Sequence, residues 1–177
     1  ADERVVRAEV FAGLADTLDV LEEHGATTGE LAPARALLTP VPTTLRQARD
    51  LLSRLVAASE LLASSAWADA FTVQCRRAHA DLEHLAPWLA LTTPAGVIDR
   101  ELAEHLDRIP TLAQLAQLET TLAPLIERDR GASSEGDHAV WLTELHAATT
   151  LGASRVTEIL ATLRTLAIRC GELSDYD

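Results

Sequence analysis

Aromatic residues make up only 3% of the 177 positions, and the chain has neither methionine nor lysine. A core with so few rings must be aliphatic, and strands, which favour aromatic side chains, have little to build on. The two cysteines, Cys75 and Cys170, are too few for a disulfide framework. Both fall on apolar stripes, where a free thiol behaves as a small hydrophobe. No apolar run approaches the roughly 18 residues that a membrane helix requires, and the opening ADERVVRAEV is too charged for a signal peptide. Positive charge is scarce as well: 15 basic residues face 27 acidic ones, for a net charge of -12. Such a balance repels phosphate backbones and anionic headgroups, which excludes nucleic acid as a partner and direct insertion into a membrane. There is no glycine-rich phosphate loop and no Gly-x-Ser-x-Gly elbow.

What the chain does contain is leucine and alanine, the strong helix formers, within a hydrophobic share of 47%. A chain of this length buries roughly 70% of its unfolded surface without metal or disulfide support. The expectation is a single, soluble, all-α domain over 1–177. Its longest pattern runs from Asp137 to Leu173, where Leu142, Leu145, Thr149, Gly152, Val156, Ile159, Leu163, Leu166, Cys170 and Leu173 alternate at spacings of three and four. That is the apolar seam of one long helix, about 50 Å at about 1.5 Å per residue. If the seam is buried throughout, Ile159→Ala costs about 2–5 kcal/mol.

The remaining elements are read by the same rules. A first helix over Asp2–Glu23 buries Val6, Val10, Leu14, Leu18 and Leu21 and stops at Gly25. Pro33, Pro40 and Pro42 limit helix in the following connector to 34–38. A second long helix starts at a Thr43 or Thr44 cap and buries Leu45, Ala48, Leu52, Leu55, Ser59 and Leu62. Its register slips at 63–65: either the helix breaks there and Ser64 or Ser65 caps a third one, which is the favoured reading, or a single long helix changes face, and the next stripe is Trp67, Phe71, Cys75, Ala78, Leu82 and Leu85. That helix ends before Pro87, leaving Trp88, Leu89 and Leu91 as an apolar plug. A short helix over 96–108 presents Val97, Leu102 and Leu106, and another from Thr111 presents Leu112, Leu115, Leu118, Leu122 and Leu125 with a kink at Pro124. The polar stretch 129–137 reads as a long loop, with Ser134 or Asp137 capping the last helix. The economical architecture is an elongated antiparallel bundle of three long helices with shorter ones packed across it.

Candidate chemistry is sparse. Cys75, His79 and Glu83 share one helix face at metal-ligand spacing, with His84 well around the helix, but no second His or Cys cluster completes a site. The apolar stripe and the solvated flank account for them. His138 and His146 flank Trp141 on the last helix without an evident carboxylate, so the aromatic reads as a helix-end anchor. The pairs Glu101 with Glu104 and Glu22 with Glu23 sit on polar faces. Asp175-Tyr176-Asp177 spells the DxD triplet of many glycosyltransferases, but it follows a helix end rather than a strand. The reading is of no catalytic residue, no metal ligand and no cofactor.

Three stretches resemble a known family: Gln74 to Leu91 (QCRRAHADLEHLAPWLAL), Leu106 to Glu119 (LDRIPTLAQLAQLE) and Leu163 to Asp177 (LRTLAIRCGELSDYD). They are similar to the helical region of bacterial cyclic β-1,2-glucan synthases, very large membrane-bound proteins. In that family a glycosyltransferase module precedes helical segments and a phosphorylase-type domain follows. The resemblance implies a noncatalytic scaffold or linker, cut from a much longer chain, that spaces or docks those modules on the cytoplasmic side of the inner membrane. It implies a parent that makes glucan from UDP-glucose, while none of the parent's catalytic motifs falls on this sequence. The absence of Met and the all-Arg basic set agree with an internal piece of a GC-rich bacterial protein. Two other classes stand beside this one: a glucan-binding module that stacks sugar on Trp88 or Trp141, and a stand-alone or homodimeric helical interaction domain.

Overall fold

The computed structural model describes residues 3–94, 98–132 and 136–174. All regular structure among them is helical: α1 (Ala8–Glu23), α2 (Thr28–Leu38), α3 (Leu45–Ser59), α4 (Ala66–Leu85), a 3-10 turn (Pro87–Ala90), α5 (Arg100–Asp107), α6 (Leu112–Ala116), α7 (Leu118–Ala132) and α8 (Asp137–Ser174). The all-α expectation holds. The chain divides into two compact units, one formed by Ala1–Glu3, Leu85–Ala103 and Pro110–Asp177 and the other by Arg4–His84 and Glu104–Ile109.

In the second of these units, α2 packs on both α1 and α3. The first helix starts later than its charge pattern suggests, at Ala8, and Phe11 takes the buried place expected of Val10, which is 38% exposed. Asp2 lies outside the described residues. The connector holds a longer helix than its prolines predict, because Thr27 and Glu30 form a reciprocal capping box: Thr27 Oγ1 accepts the Glu30 N–H, and the Thr27 N–H donates to Glu30 Oε2 at 2.8 Å. Pro33 is carried inside α2, where the carbonyl it leaves unpaired belongs to exposed Gly29. Thr44 caps α3 by accepting the Gln47 N–H, and the break at 60–65 falls where the register slips, with Ser65 Oγ accepting the Ala68 N–H at 3.1 Å to open α4. Leu45, Ala48, Leu52, Leu55 and Ser59 are buried as expected, as are Phe71, Cys75 and Leu82.

The other unit is organised by α8, against which α6, α7 and the 3-10 turn pack. Pro87 ends α4 and turns the chain so that Trp88 and Leu89 are buried. Asp99 caps α5, its Oδ1 accepting the Leu102 N–H at 3.1 Å, and Leu102 is buried in this unit, while Leu106, also buried, belongs to the unit of Arg4–His84 and Glu104–Ile109; Val97 lies outside the described residues. The expected helix from Thr111 is two helices, divided at Gln117, and Pro124 lies inside the second of them. Thr111 and Gln114 form a second capping box that makes α6 a helix of its own. The first part of the expected loop, 129–132, is helix, since α7 continues to Ala132, and 133–135 lie outside the described residues. Ser134 lies outside the described residues.

α8 runs for 38 residues. Its seam is buried from Leu142 through Leu145, Thr149 and Gly152 to Val156. Thr149, wholly buried, donates its hydroxyl to the Leu145 carbonyl at 3.0 Å, so the one polar seam residue is satisfied within the helix. Gly152 is required by contact: a Cβ there would lie 2.7 Å from the Leu85 carbonyl oxygen and 3.1 Å from Trp88 Cζ3. Beyond Val156 the expectation of a buried seam fails. Ile159 is 36% exposed, Leu163 47% and Leu166 50%, because no described element covers that half.

These observations replace the sequence-based forecast for Ile159. Chemical denaturation will show Leu145→Ala losing about 2–5 kcal/mol, while Leu166→Ala stays within about 0.5 kcal/mol of the parent chain. Gly152→Ala will destabilise by about 1–3 kcal/mol, since the Leu85 backbone must shift, although alanine is the better helix former by about 1 kcal/mol.

Candidate functional site

Burial decides most of the sequence candidates. Trp88 is 2% exposed and Trp141 5%, so neither ring offers an open face on which a sugar could stack. Trp88 is held by the close approach of α8 at Gly152, and Trp141 sits one turn into α8 on its inner side. The tryptophan that is open is Trp67, 43% exposed, which the sequence pattern assigns to the core. Its ring lies 5.2 Å from that of His24 at the edge of a cleft of about 210 Å³ lined also by Leu21, Glu30, Ser64 and Ser65. Pockets for drug-sized ligands usually run to about 300–1,000 Å³, so this cleft is small.

Cys75, His79 and Glu83 are not brought together as ligands. Cys75 is wholly buried, and burial pushes its thiol up to about 12. Glu83 accepts a hydrogen bond from Arg49 Nε on α3 at 2.9 Å and stands 3.7 Å from His79 Nε2. Among the described residues no three His, Cys, Asp or Glu side chains converge on a point that holds a metal ion. His84, His146, Glu22, Glu23, Glu101 and Glu104 are exposed. Glu22 is engaged by Arg35 at 2.7 Å. Arg128 bridges Asp99 at 2.8 Å and Glu101 at 3.0 Å. The Leu102 N–H first, and Arg128 beside it, hold the Asp99 carboxyl below its usual range. Asp175, Tyr176 and Asp177 lie outside the described residues.

His138 does have a carboxylate, which sequence reading missed by assigning Asp129 to a loop. Asp129 on α7 is 7% exposed, and its Oδ2 lies 3.3 Å from His138 Nε2 near the start of α8. The Trp141 ring is 5.9 Å from that of His138. No hydrogen bond joins them, and Asp129 Oδ2, His138 Nε2 and Trp141 Nε1 are all buried without a hydrogen-bond partner. An Asp and His pair holds and moves a proton, but it needs a nucleophile or substrate group within about 3 Å to act as a catalyst.

The remaining candidate is a surface. Ile159, Leu163, Leu166 and Cys170 carry the α8 seam onto the exposed half of the helix, with Ala167 exposed and Leu160 half-buried beside them. A contiguous exposed apolar strip on a monomer marks an interaction site. Between Thr157 and Glu172 the charges are Glu158, Arg164, Arg169 and Glu172. The strip is therefore locally neutral in a chain of net charge -12.

The two thiols differ accordingly. A neutral alkylating reagent will label Cys170 in the native chain and reach Cys75 only after denaturation, as counted by mass spectrometry. Folding favours the neutral Cys75 thiol, so its contribution to stability is complete below the ordinary value near 9. It is lost as pH rises from there towards 12, with a slope of about 1.4 kcal/mol per pH unit, and Cys75→Ala will flatten that slope. Comparison with known proteins returns no match to a family model, to a curated protein or to a solved structure.

Proposed function

We propose that this chain is a noncatalytic helical scaffold in a cyclic β-1,2-glucan synthase, spacing or docking its glycosyltransferase and phosphorylase-type modules. The observation that carries the reading is the division of α8: its first half is anchored in a core, and its second half presents the same apolar seam to contacts outside that core. A helix that served only its own fold would end near Val156, where burial ends. The wording of the three resembling stretches supplies the parent, and with it UDP-glucose as donor and the cytoplasmic side of the inner membrane as location. No described helix is long and apolar enough to cross a membrane, which agrees with membrane attachment by other parts of such a parent.

The scaffold reading is tested in the synthase itself. Ala161→Pro, in the exposed half of α8, will break the helix where it supports no core of its own. Expected is at least a tenfold fall in cyclic glucan made from UDP-glucose, with the melting temperature of the isolated chain within about 2 °C of the parent. Unchanged glucan production, or turnover of UDP-glucose or β-1,2-glucan by the isolated chain above a buffer control, would count against it.

A further inference from the structure

The turn between α1 and α2 and the break between α3 and α4 line one cleft of about 210 Å³, with the open Trp67 ring at its edge. Gly25, at φ 103°, turns the chain after α1, and Leu62, Ala63, Ser64 and Ser65 supply the wall from the break. Leu21 and Ala68 are its buried, aliphatic part. Its charge is of one sign: Glu30 is the carboxylate of the lining, and no arginine lines the cleft among the described residues. The Thr27 N–H and the Thr27 hydroxyl both donate to Glu30 Oε2 at 2.8 Å, which holds the carboxyl below its usual range and leaves Oε1 for another group. His24 donates Nδ1–H to the Val20 carbonyl at 2.8 Å, so Nε2 is its remaining ring nitrogen. The imidazole meets the Trp67 indole at 5.2 Å between centroids and at an angle of 49°, so the two rings form a corner and not a flat platform.

These groups select a ligand by charge and by hydration. An anion is repelled by Glu30 and by a chain of net charge -12. An inorganic cation would exchange its water for aliphatic walls and a single carboxylate oxygen, which is a loss. A sugar stacks on an open, flat face, whereas His24 closes part of this one. A quaternary ammonium ion meets each feature: its charge is spread over methyl groups that shed little water, and it is attracted to the face of an indole ring. We propose that the cleft binds a small, free quaternary ammonium ion of the choline type, its methyl groups against Trp67 and its charge beside Glu30 Oε1. A hydroxyl on such an ion donates to His24 Nε2. The site lies wholly within the unit that holds Arg4–His84, and ammonium binding is judged separately from glucan production.

The test is a titration of the whole chain with choline to about 50 mM at constant ionic strength, followed in nitrogen–proton NMR correlation spectra. Saturable shifts are expected at the Trp67 indole and at the Gly25 and Ser64 amides, with the buried Trp88 and Trp141 indoles unmoved. The neutral carbon isostere of choline, with a tert-butyl group in place of trimethylammonium, will bind about tenfold more weakly. Glu30→Gln keeps a residue that suits the capping box while removing the charge, and it will weaken choline about two- to fivefold. Trp67→Leu will abolish the shifts and leave the melting temperature within about 2 °C, since the ring is exposed. Phosphatidylcholine vesicles carry the same ion behind a phosphate, which the acidic chain repels, and they will leave the protein in the supernatant on sedimentation. A flat choline titration, equal binding of the neutral isostere, or shifts with glucose and none with choline overturns the proposal. Pelleting with the vesicles overturns the free ion as the ligand.

Discussion

One close approach fixes the unit built on α8. At Gly152 the helix backbone comes so near the Leu85 carbonyl oxygen that a β-carbon would sit 2.7 Å from it. Glycine costs helix stability at such a central position, and the cost is offset by what the contact allows. The end of α4 and the 3-10 turn lie directly on α8, and Pro87 and Trp88 close over the gap. Thr149, one turn earlier, is small enough to keep the helices close and returns its hydroxyl to its own backbone. Replacing this pair of small residues by leucines would satisfy the seam pattern and destroy the packing.

A different logic governs the junction of α7 and α8. There Asp129 and His138 are withdrawn from water without a well-formed bond between them, and the Trp141 indole N–H is left without an acceptor. Buried polar atoms of this kind cost stability unless another group meets them. They are the least satisfied point of the described fold, and they lie at the foot of its longest helix.

Much of the fold was legible from periodicity and punctuation. The α3 and α4 stripes, the break between them, the stop at Pro87 and the extent of α8 all follow from apolar spacing and proline chemistry. What was misread has local causes. The capping boxes at Thr27 and at Thr111 set helix starts that the prolines alone do not predict, so α2 is longer than expected and the chain from Thr111 is divided at Gln117. Asp129 looked like loop because a charged residue followed by glycine and serines usually is; only the fold brings it to His138. Trp67 and Trp88 both lie on apolar text, and pattern alone does not tell a ring at a cleft edge from one beneath a helix. The same is true of Ile159, whose spacing matches that of Leu145 although one is exposed and the other buried. Periodicity reports that a face is apolar and is silent on what covers it.

The division of α8 at Val156 also has a kinetic consequence. Amide protons on the anchored half exchange with solvent only when the surrounding core opens. Those beyond Thr157 rest on helix hydrogen bonds alone, and short helices without tertiary support are marginal in water. Hydrogen exchange along this single unbroken helix should therefore pass within about two turns from slow, global opening to fast fraying. Whatever strand completes the exposed seam would be read directly as the spread of protection towards its end.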